Sequence, residues 1–322
     1  MKNLEDLIFI NPETKKKIYY DKNKNRFGDQ DILFNKFDKI HDLFLDDKNK
    51  ITNDQSEFYN DVKFPNYDDI DDFGSLIDKA SKSLFAKKLD DELNYNSKIL
   101  EARCGTGQLS IFLSRYNRQV FGIDLSKGSL LEAENFLNKN NIKNVYLFRM
   151  NIFKLLFEDN YFDYIISNGV LHHTHNPKLA FSMLTKKLKK DGYIIIGLYH
   201  KYGRFVQKLR QNLIRIFGPK LRILDRRFSE NISQKKKYAW FLDQYKNPSE
   251  TVHTLEEVLN WFKENNISYI SSIPFDFDNE KRLLDESNIK LPKNLFLKEI
   301  SLTFNLRQIY EGGFFIVIGK KN

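Results

Sequence analysis

The stretch from Lys98 to Ser110 constrains the fold of this chain more than any other part of it. The apolar residues that follow Lys98 are typical of a strand buried on both faces of a parallel sheet. Gly105 and Gly107 come next, and glycine lets the backbone of a turn approach a ligand closely. Apolar residues then recur at helical spacing, so we expect a helix to begin within residues 106–108. This order directs the N–H groups of a helix start towards an anionic group, although the glycines could serve turn geometry alone.

Strands and helices alternate along the rest of the chain. The alternation predicts an α/β fold: a Rossmann-like, doubly wound, mostly parallel seven-stranded sheet. Ser126 and Thr254 are expected to cap two helices, because their hydroxyl groups can accept hydrogen bonds from the first free N–H groups. The predicted strands are 99–102, 120–124, 144–151, 161–168, 193–199, one within 266–277, and 313–320. The predicted helices after the first strand's turn are 126–140, 178–190 and 254–264, and one helix over 75–93 precedes that strand.

The chain of 322 residues is long enough for a full α/β domain with additions. Residues 1–57 are expected to form a small N-terminal β-rich module, with a hairpin around residues 22–24. The main domain is predicted to span residues 58–322. Within it, residues 58–96 would form an N-terminal lid and helix, and residues 200–250 a basic helical insertion after strand five.

The basic character of the chain lies in one segment. The net charge is +9, and residues 201–237 contain twelve Lys and Arg but only two Asp and Glu. Apolar and basic residues from Val206 to Phe217 indicate an amphipathic helix that ends at Gly218. We favour a solvated lid over a substrate, while nucleic-acid phosphates and an anionic membrane surface stay open as partners. Aromatic residues that could stack on single-stranded RNA are few in this segment.

Composition narrows the class of protein further. No run approaches the roughly 18 apolar residues that span a bilayer, and the N-terminus lacks a signal-peptide pattern. The single cysteine, Cys104, excludes an intrachain disulfide and a cysteine-cluster metal site. No two candidate ligands show metal-binding spacing, so no metal is expected. A cytoplasmic protein is the resulting expectation, and the oligomeric state is not readable from the sequence.

An acidic residue at the end of the second predicted strand indicates nucleoside recognition. Asp124 follows the glycine turn by about twenty residues, where a carboxylate can accept hydrogen bonds from both ribose hydroxyl groups. A dinucleotide-binding protein would share this acid. However, Arg103 occupies the first glycine position of the G-x-G-x-x-G template that admits a pyrophosphate.

Four motifs in order then resemble the class I S-adenosylmethionine-dependent methyltransferases (type 11/12-like), over about residues 59–321. Leu100–Gly107 resembles the first motif of that family, hydrophobic-Glu/Asp-x-Gly-x-Gly-x-Gly, and Val120–Asp124 the second. Glu158–His173 matches the fourth, and Leu188–Gly197 matches the region before the fifth strand. Residues 1–57 resemble, weakly, the zinc-ribbon-like module of methyltransferase activator proteins. The cysteines of such modules are absent, so zinc is not expected there.

The resemblance implies S-adenosyl-L-methionine as cofactor and S-adenosyl-L-homocysteine as product. Glu101 would organise the methionine end, the backbone of residues 102–107 would line it, and Asp124 would hold the ribose. Leu125 would lie against adenine, and Asn168 with Gly169 would contact the methionine amine and face the acceptor. The full set of implied cofactor residues is Glu101, Ala102, Arg103, Cys104, Gly105, Gly107, Asp124, Leu125, Asn151, Ile152, Asn168 and Gly169.

Two residues depart from the family pattern. Arg103 replaces a glycine, so its guanidinium group would either pair with the methionine carboxylate or obstruct the loop. Asn151 stands where many family members have Asp, and its amide would meet the adenine edge without charge assistance. Both departures keep a cofactor-binding module without catalytic activity open as an alternative.

Candidates for the acceptor side lie after the fourth and fifth strands and in the segment before the first. His172 and His173 are candidates for a general base or for positioning an acceptor, and a helix-start pair bonded to the local backbone is the alternative. Tyr199 is the third catalytic candidate, because ligands of open α/β sheets lie beyond the carboxyl ends of the strands. The candidate substrate contacts are Tyr59, Phe64, Tyr67, His200 and His253, although the aromatic residues could anchor a linker and His253 could cap a helix.

The sequence therefore predicts a methyltransferase that acts on a small-molecule or lipid-like acceptor. An RNA methyltransferase, with tRNA as the leading substrate, is the alternative that would use the basic insertion. The acceptor atom cannot be read from the sequence, because the cofactor supplies the electrophile and no acid–base triad is required.

Overall fold

The fold is taken from a computed structural model, which describes most of the chain. The described residues are 4–61, 67–218, 220, 225, 228, 233–275, 281–287, 289, 291, 293–305 and 312–322. In these ranges, no helix combines the length and the apolar character that crossing a membrane requires.

Strands and helices alternate from residue 98 onward, after a β-rich beginning. The strands are β1 Phe9–Ile10, β2 Lys17–Asp21, β3 Arg26–Gly28, β4 Asn35–Phe37, β5 Ile40–Asp42, β6 Lys98–Ala102, β7 Gln119–Asp124, β8 Val145–Arg149, β9 Phe162–Asn168, β10 Leu188–Tyr199, β11 Ile267–Ile273 and β12 Phe314–Lys321. The α-helices are α1 Lys50–Asp61, α2 Phe73–Ser81, α3 Leu84–Glu92, α4 Gln108–Leu113, α5 Lys127–Lys139, α6 Pro177–Lys187, α7 Phe205–Phe217, α8 Gln234–Lys246, α9 Leu255–Glu264 and α10 Leu295–Ser301.

The central sheet has the strand order β11-β12-β10-β9-β6-β7-β8-β5-β4. The strands from β10 through β8 to β5 run parallel, and β12 is antiparallel to both β10 and β11. The chain leaves β6 towards β7 and β8, and then returns to the other side of β6 as β9 and β10. Such a switch opens a crevice at the carboxyl ends of β6 and β9, where open α/β sheets bind ligands. The predicted α/β, doubly wound, mostly parallel architecture is therefore confirmed.

The predicted number of seven strands is wrong, because the N-terminal region adds two strands to the central sheet. His41 of β5 pairs in parallel with Phe148 of β8, and β4 lies antiparallel to β5 at the sheet edge. Each added strand has three residues, which is too short for a periodic pattern to identify. The boundary that we predict between residues 57 and 58 falls within α1.

The strands β1 to β3 form a separate three-stranded sheet that includes the predicted hairpin. Its core is continuous with that of the main sheet, since the rings of Phe9 and Phe27 lie 5.3 and 6.1 Å from that of Phe148. Among the described residues, no group of three or more His, Cys, Asp or Glu could hold a metal ion. The zinc-ribbon-like resemblance of this region stays a prediction.

Helix ends follow the local capping chemistry. Ser126 and Thr254 accept hydrogen bonds from the third residue after them, and α5 and α9 begin there as predicted. The single helix predicted over 75–93 is instead two helices, α2 and α3. Ser83 explains the break, because its hydroxyl accepts from the N–H of Ala86 and caps a new helix.

Candidate cofactor and acceptor site

A cavity of about 370 Å³ lies at the carboxyl ends of β6, β9 and β10. Its volume is within the range of pockets that enclose small ligands, roughly 300–1,000 Å³. The sequence-predicted residues that line it are Tyr59, Glu101, Arg103, Cys104, Gly105, Asp124, Asn168, Gly169, His173 and Tyr199.

The glycine turn forms one wall of the cavity. Arg103 and Gly105 both have positive φ angles, 57° and 55°. Gly107 has a φ of 73° and is the N-cap residue directly before α4. A left-handed backbone conformation costs a residue with a side chain roughly 1–2 kcal/mol. A glycine would therefore suit the position of Arg103 better, and the arginine stands there against the local backbone preference.

Two buried carboxylates, Glu101 and Asp124, lie at the carboxyl ends of β6 and β7. The carboxylate of Asp124 accepts hydrogen bonds from the N–H groups of Gly105 and Ser126, each at 2.8 Å, and so holds the glycine turn in place. Glu101 accepts a hydrogen bond from the hydroxyl of Ser110. Burial raises the pKa of Glu101 to about 7, with the Ser110 bonds opposing the shift. A positively charged ligand group beside Glu101 would favour its ionised form.

The guanidinium group of Arg103 faces the cavity. It lies 4.9 Å from the centroid of the Tyr59 ring, within the range of a cation–π contact. Among the described residues it forms no ion pair with a carboxylate. The group is therefore available to an anionic ligand group in the cavity, and a planar guanidinium suits a carboxylate in two-point contact.

His173 presents one ring nitrogen to the cavity. Its Nδ1 lies 2.7 Å from the carbonyl oxygen of Ser249, which can only accept, so Nδ1 carries the proton. The lone pair of the neutral ring is then on Nε2. Burial lowers the pKa of His173, although Asp243 and the Ser249 bond oppose the shift. The ring is therefore neutral at neutral pH, which is the state that a proton acceptor needs.

His172 and Tyr199 pack against one another beside the cavity, with ring centroids 4.0 Å apart and an angle of 39° between the ring planes. Tyr199 lines the cavity, and its hydroxyl accepts a hydrogen bond from Gln244 at 2.8 Å. His172 lies behind it, fully buried, and neither ring nitrogen has a hydrogen-bond partner among the described residues. Burial lowers the pKa of His172 well below its usual value. The predicted catalytic contact of His172 is not supported, because its ring does not reach the cavity.

Asn168 and Phe314 share a narrow space above β10. A Cβ atom at Gly197 would lie 2.2 Å from the Asn168 Oδ1 and 2.3 Å from the Phe314 ring. Only a residue without a side chain lets both groups lie on the strand here. Gly197 therefore shapes the wall of the cavity without lining it.

Helix α8 of the insertion supplies wall residues that sequence reasoning missed: Trp240, Asp243 and Gln244. The hydroxyl of Tyr59 donates to Asp243 at 2.8 Å, and Gln244 donates to the other oxygen of Asp243 at 2.8 Å. Helices α1 and α8 thus meet over the cavity. No sequence signal marks Asp243, since an acid inside a basic helix has no motif around it.

A second cleft, of about 20 Å³, adjoins the first and shares Arg103 and His173 with it. Leu125, Asn151 and Ile152 line it, as the adenine site of the resemblance implies, and α1 closes it with Gln55. Both ends of the Asn151 amide are engaged by the protein: its Nδ2 donates to the Leu45 carbonyl, and its Oδ1 accepts from the N–H of Phe153. Within the part of the chain that the structure describes, the buried Oε1 of Gln55 has no hydrogen-bond partner.

Several predicted contacts lie away from the cavity. His200 is fully buried, where its Nε2 lies 3.1 Å from Glu299 and its Nδ1 accepts from the N–H of Gly203. His253 is held by Thr251 and Glu257, at 2.8 and 3.0 Å. Neither histidine lines the cavity, so the structure does not bring them to the predicted substrate contacts, which stay predictions.

The aromatic residues that we predicted in the segment before the first strand have different positions. Tyr67 donates to the carbonyl of Thr106 at 2.6 Å and stacks on Phe136 of α5, outside the cavity. Phe64 lies outside the described residues. Ala102 and Gly107 do not line the cavity.

The groups around the cavity fit S-adenosylmethionine. Glu101 suits its ammonium group, Asp124 its ribose hydroxyl groups, and the unpaired Arg103 guanidinium its carboxylate. The small cleft beside Leu125 and Ile152 has apolar walls that suit the face of a purine ring, but its volume of about 20 Å³ holds roughly one water molecule, so its walls would have to move apart to admit the ring. The side chains present are thus those that each end of the cofactor requires.

Comparisons with known proteins agree with this fit. A family described as "Methyltransferase domain" matches residues 93–266, more than half of the chain. A demethylmenaquinone methyltransferase of Bacillus cereus is 25% identical over 184 residues, which cover 56% of this chain and 74% of that protein. An uncharacterized protein of Synechococcus is 23% identical over 216 residues. These cover 59% of this chain but only about half, 52%, of that protein.

Solved structures share the fold. Geranyl diphosphate C-methyltransferase from Streptomyces coelicolor superposes with a TM-score of 0.51 at 14% identity, over 85% of this chain and 99% of that one. PKMT2 from Rickettsia typhi, in complex with AdoHcy, superposes with a TM-score of 0.51 at 19% identity, over 74% and 52%. The chain therefore belongs to the class I S-adenosylmethionine-dependent methyltransferases, whose cofactor is S-adenosyl-L-methionine.

Proposed function

We propose that this protein transfers a methyl group from S-adenosylmethionine to a small-molecule acceptor held in the 370 Å³ cavity. One observation carries the proposal. The same cavity joins the carboxylates of Glu101 and Asp124 to a neutral histidine, His173, whose unprotonated nitrogen has no hydrogen-bond partner among the described residues. The groups that suit the cofactor and a candidate proton acceptor thus line one cavity.

The cofactor supplies an electrophilic methyl group on a sulfonium centre, so the protein has to position and desolvate an acceptor. Asp124 and the glycine turn would orient the ribose end, and Arg103 the carboxylate. The Nε2 of His173 would take the proton from an acceptor O–H or N–H group. Tyr59 and Trp240, from helices on two sides, would exclude water from the cavity.

The enclosure favours a small or lipid-like acceptor. Side chains of α1 and α8 meet over the cavity through the bond between Tyr59 and Asp243, which narrows the space above it within the described part of the chain. The name of the Bacillus cereus relative, demethylmenaquinone methyltransferase, points in the same direction. No contact at the site favours the RNA alternative or a non-catalytic module. We further propose that residues 58–322 form the catalytic unit, which residues 200–250 close.

Calorimetry and labelling test this function. The full chain should bind S-adenosylhomocysteine, and Asp124→Ala should weaken that binding. Cofactor with a tritiated methyl group should label molecules of a low-mass cell extract, and His173→Asn should lose labelling while it keeps affinity for S-adenosylhomocysteine. Label that enters only RNA would favour the alternative. Failure of both the native chain and Asp124→Ala to bind would remove the proposal.

A further inference from the structure

Helix α7 turns its apolar side chains outward, which is the reverse of an ordinary surface helix. Its buried face carries Gln207 and only one apolar residue below a tenth exposure, Ile214. Gln211, also on the inner side, donates a hydrogen bond to the carbonyl of Gln244 on α8. Polar contacts therefore help to hold α7 against the domain, and four of its seven apolar side chains are exposed instead of packing into the core.

The outward side chains form a stripe along one side of α7. Phe205, Leu209 and Ile216 recur at helical spacing, and Phe217 extends the stripe at the C-terminal end. Each of the four is between 51% and 69% exposed. Apolar residues scattered singly on a surface are ordinary, but a row of four on one helix is typical of an interaction surface.

A second exposed apolar cluster lies beside the start of α7. Phe296 and Leu297 of α10 are 61% and 64% exposed. The ring of Phe296 contacts that of Tyr202, three residues before Phe205, with centroids 6.4 Å apart. The buried Glu299 of α10 bonds His200 and the N–H of Leu255, so α10 is anchored to the domain at this place. We call the α7 stripe and this cluster together the apolar face.

Positive charge flanks the apolar face. Lys208 and Arg215, seven residues apart, lie on the same side of α7, next to the apolar stripe. Lys201 and Lys220, at the two ends of the helix, are exposed. The sequence contains no Asp or Glu from residue 201 to residue 224. The charge and the apolar side chains thus point to a partner that is both anionic and apolar.

We propose that the apolar face docks on the surface of an anionic phospholipid bilayer. Such a surface accepts apolar side chains below its headgroups and attracts Lys and Arg beside them. RNA would satisfy the charges but would leave aliphatic side chains such as Leu209 and Ile216 without a partner. A second copy of the chain would bring two basic faces together, which like-charge repulsion opposes.

The apolar face is connected to the cavity through α7 and α8. Helix α7 packs on α8 through Gln211, and α8 lines the cavity with Asp243 and Gln244. A docked protein would hold its cavity close to the membrane, from which a lipid-like acceptor could enter. The docking itself goes beyond the proposed function and does not depend on it, because binding to vesicles requires neither cofactor nor turnover.

Vesicle flotation of the full chain tests the proposal. The protein should float with phosphatidylcholine vesicles that contain phosphatidylglycerol, and should float poorly with phosphatidylcholine alone. Phe205→Ser with Phe217→Ser should lower the partition coefficient by about tenfold for each ring removed from the membrane. Lys208→Glu with Arg215→Glu should lower it by at least about fivefold per residue at low salt, and high salt should abolish the difference.

A matched control lies on α6, where Leu179→Ser with Lys186→Glu removes an exposed apolar group and a lysine elsewhere on the surface. This variant should float like the native chain, and circular dichroism should show that all variants fold. The proposal is overturned if the α7 variants float as well as the native chain or if the α6 variant loses as much. It is equally overturned if light scattering shows a dimer that the Phe205 and Phe217 changes dissociate while flotation is absent.

Discussion

Replacement of Arg103 by glycine should weaken the binding of S-adenosylhomocysteine. The guanidinium group faces the cavity without a carboxylate partner among the described residues, so a ligand carboxylate would supply one. Hydrogen bonds to a charged group contribute about 1.5–3 kcal/mol. We therefore expect a loss of between about tenfold and 150-fold in affinity.

The same change should not destabilise the fold. Arg103 has a φ of 57°, and a left-handed conformation costs a residue with a Cβ atom about 1–2 kcal/mol. Glycine removes that cost but adds about 0.4–1 kcal/mol of backbone entropy to the unfolded chain. The free energy of unfolding should therefore rise slightly or stay the same, so weaker binding could not be attributed to unfolding.

Isothermal titration calorimetry with two ligands isolates the carboxylate contact. S-adenosylhomocysteine carries the amino acid end, whereas 5′-methylthioadenosine lacks both its ammonium and its carboxylate groups. Arg103→Gly should lose affinity for the first ligand and keep it for the second. Arg103→Asn is the matched control for the backbone, because asparagine tolerates a left-handed conformation, and it should behave like Arg103→Gly.

Tighter binding of S-adenosylhomocysteine to Arg103→Gly would refute the contact and show that the arginine obstructs the site. An equal loss for both ligands would also refute it, because the guanidinium group would then act on the nucleoside or on the loop.

Three further predictions concern other residues of the cavity. The pKa of Glu101, raised to about 7 by burial, predicts that S-adenosylhomocysteine binds more weakly below about pH 7, and Glu101→Gln should remove this dependence in calorimetry across pH. Burial lowers the pKa of His173, so below pH 6.5, the approximate pKa of an unfolded histidine, the unfolded chain binds more protons than the folded chain. The stability to urea should therefore fall as the pH drops below about 6.5, and it should fall less steeply in His173→Asn. Gly197→Ala should displace the Asn168 amide, and this should cost about 1–3 kcal/mol of stability and lower the cofactor affinity. The control Gly74→Ala, in the exposed helix α2, should lower neither stability nor affinity. Equal effects of the two changes would contradict the close contact at Gly197.

Local signals were sufficient for the strands and the glycine turn at the cofactor end of the site, but not for α1 and α8, which meet over the cavity. The strand before the glycine turn and the acid at the end of the next strand depend on short apolar runs and one glycine turn, so their prediction required no tertiary information. Tyr199 and His200 illustrate a limit of the same reasoning. Successive side chains at the end of a strand point to opposite faces, so only one of the two could reach the cavity, and it is Tyr199.

The sequence by itself determined the sheet, the glycine turn and the acids that identify the cofactor. It also placed the basic amphipathic helix that became α7, but not the direction in which its apolar side faces. Tertiary structure alone brought Asp243 to the cavity, over a hundred residues from Glu101, because helix packing sets which inner side chains reach a site. It alone brought His173 rather than His172 to the cavity wall, since the Ser249 carbonyl holds the ring of His173 and Tyr199 packs against that of His172.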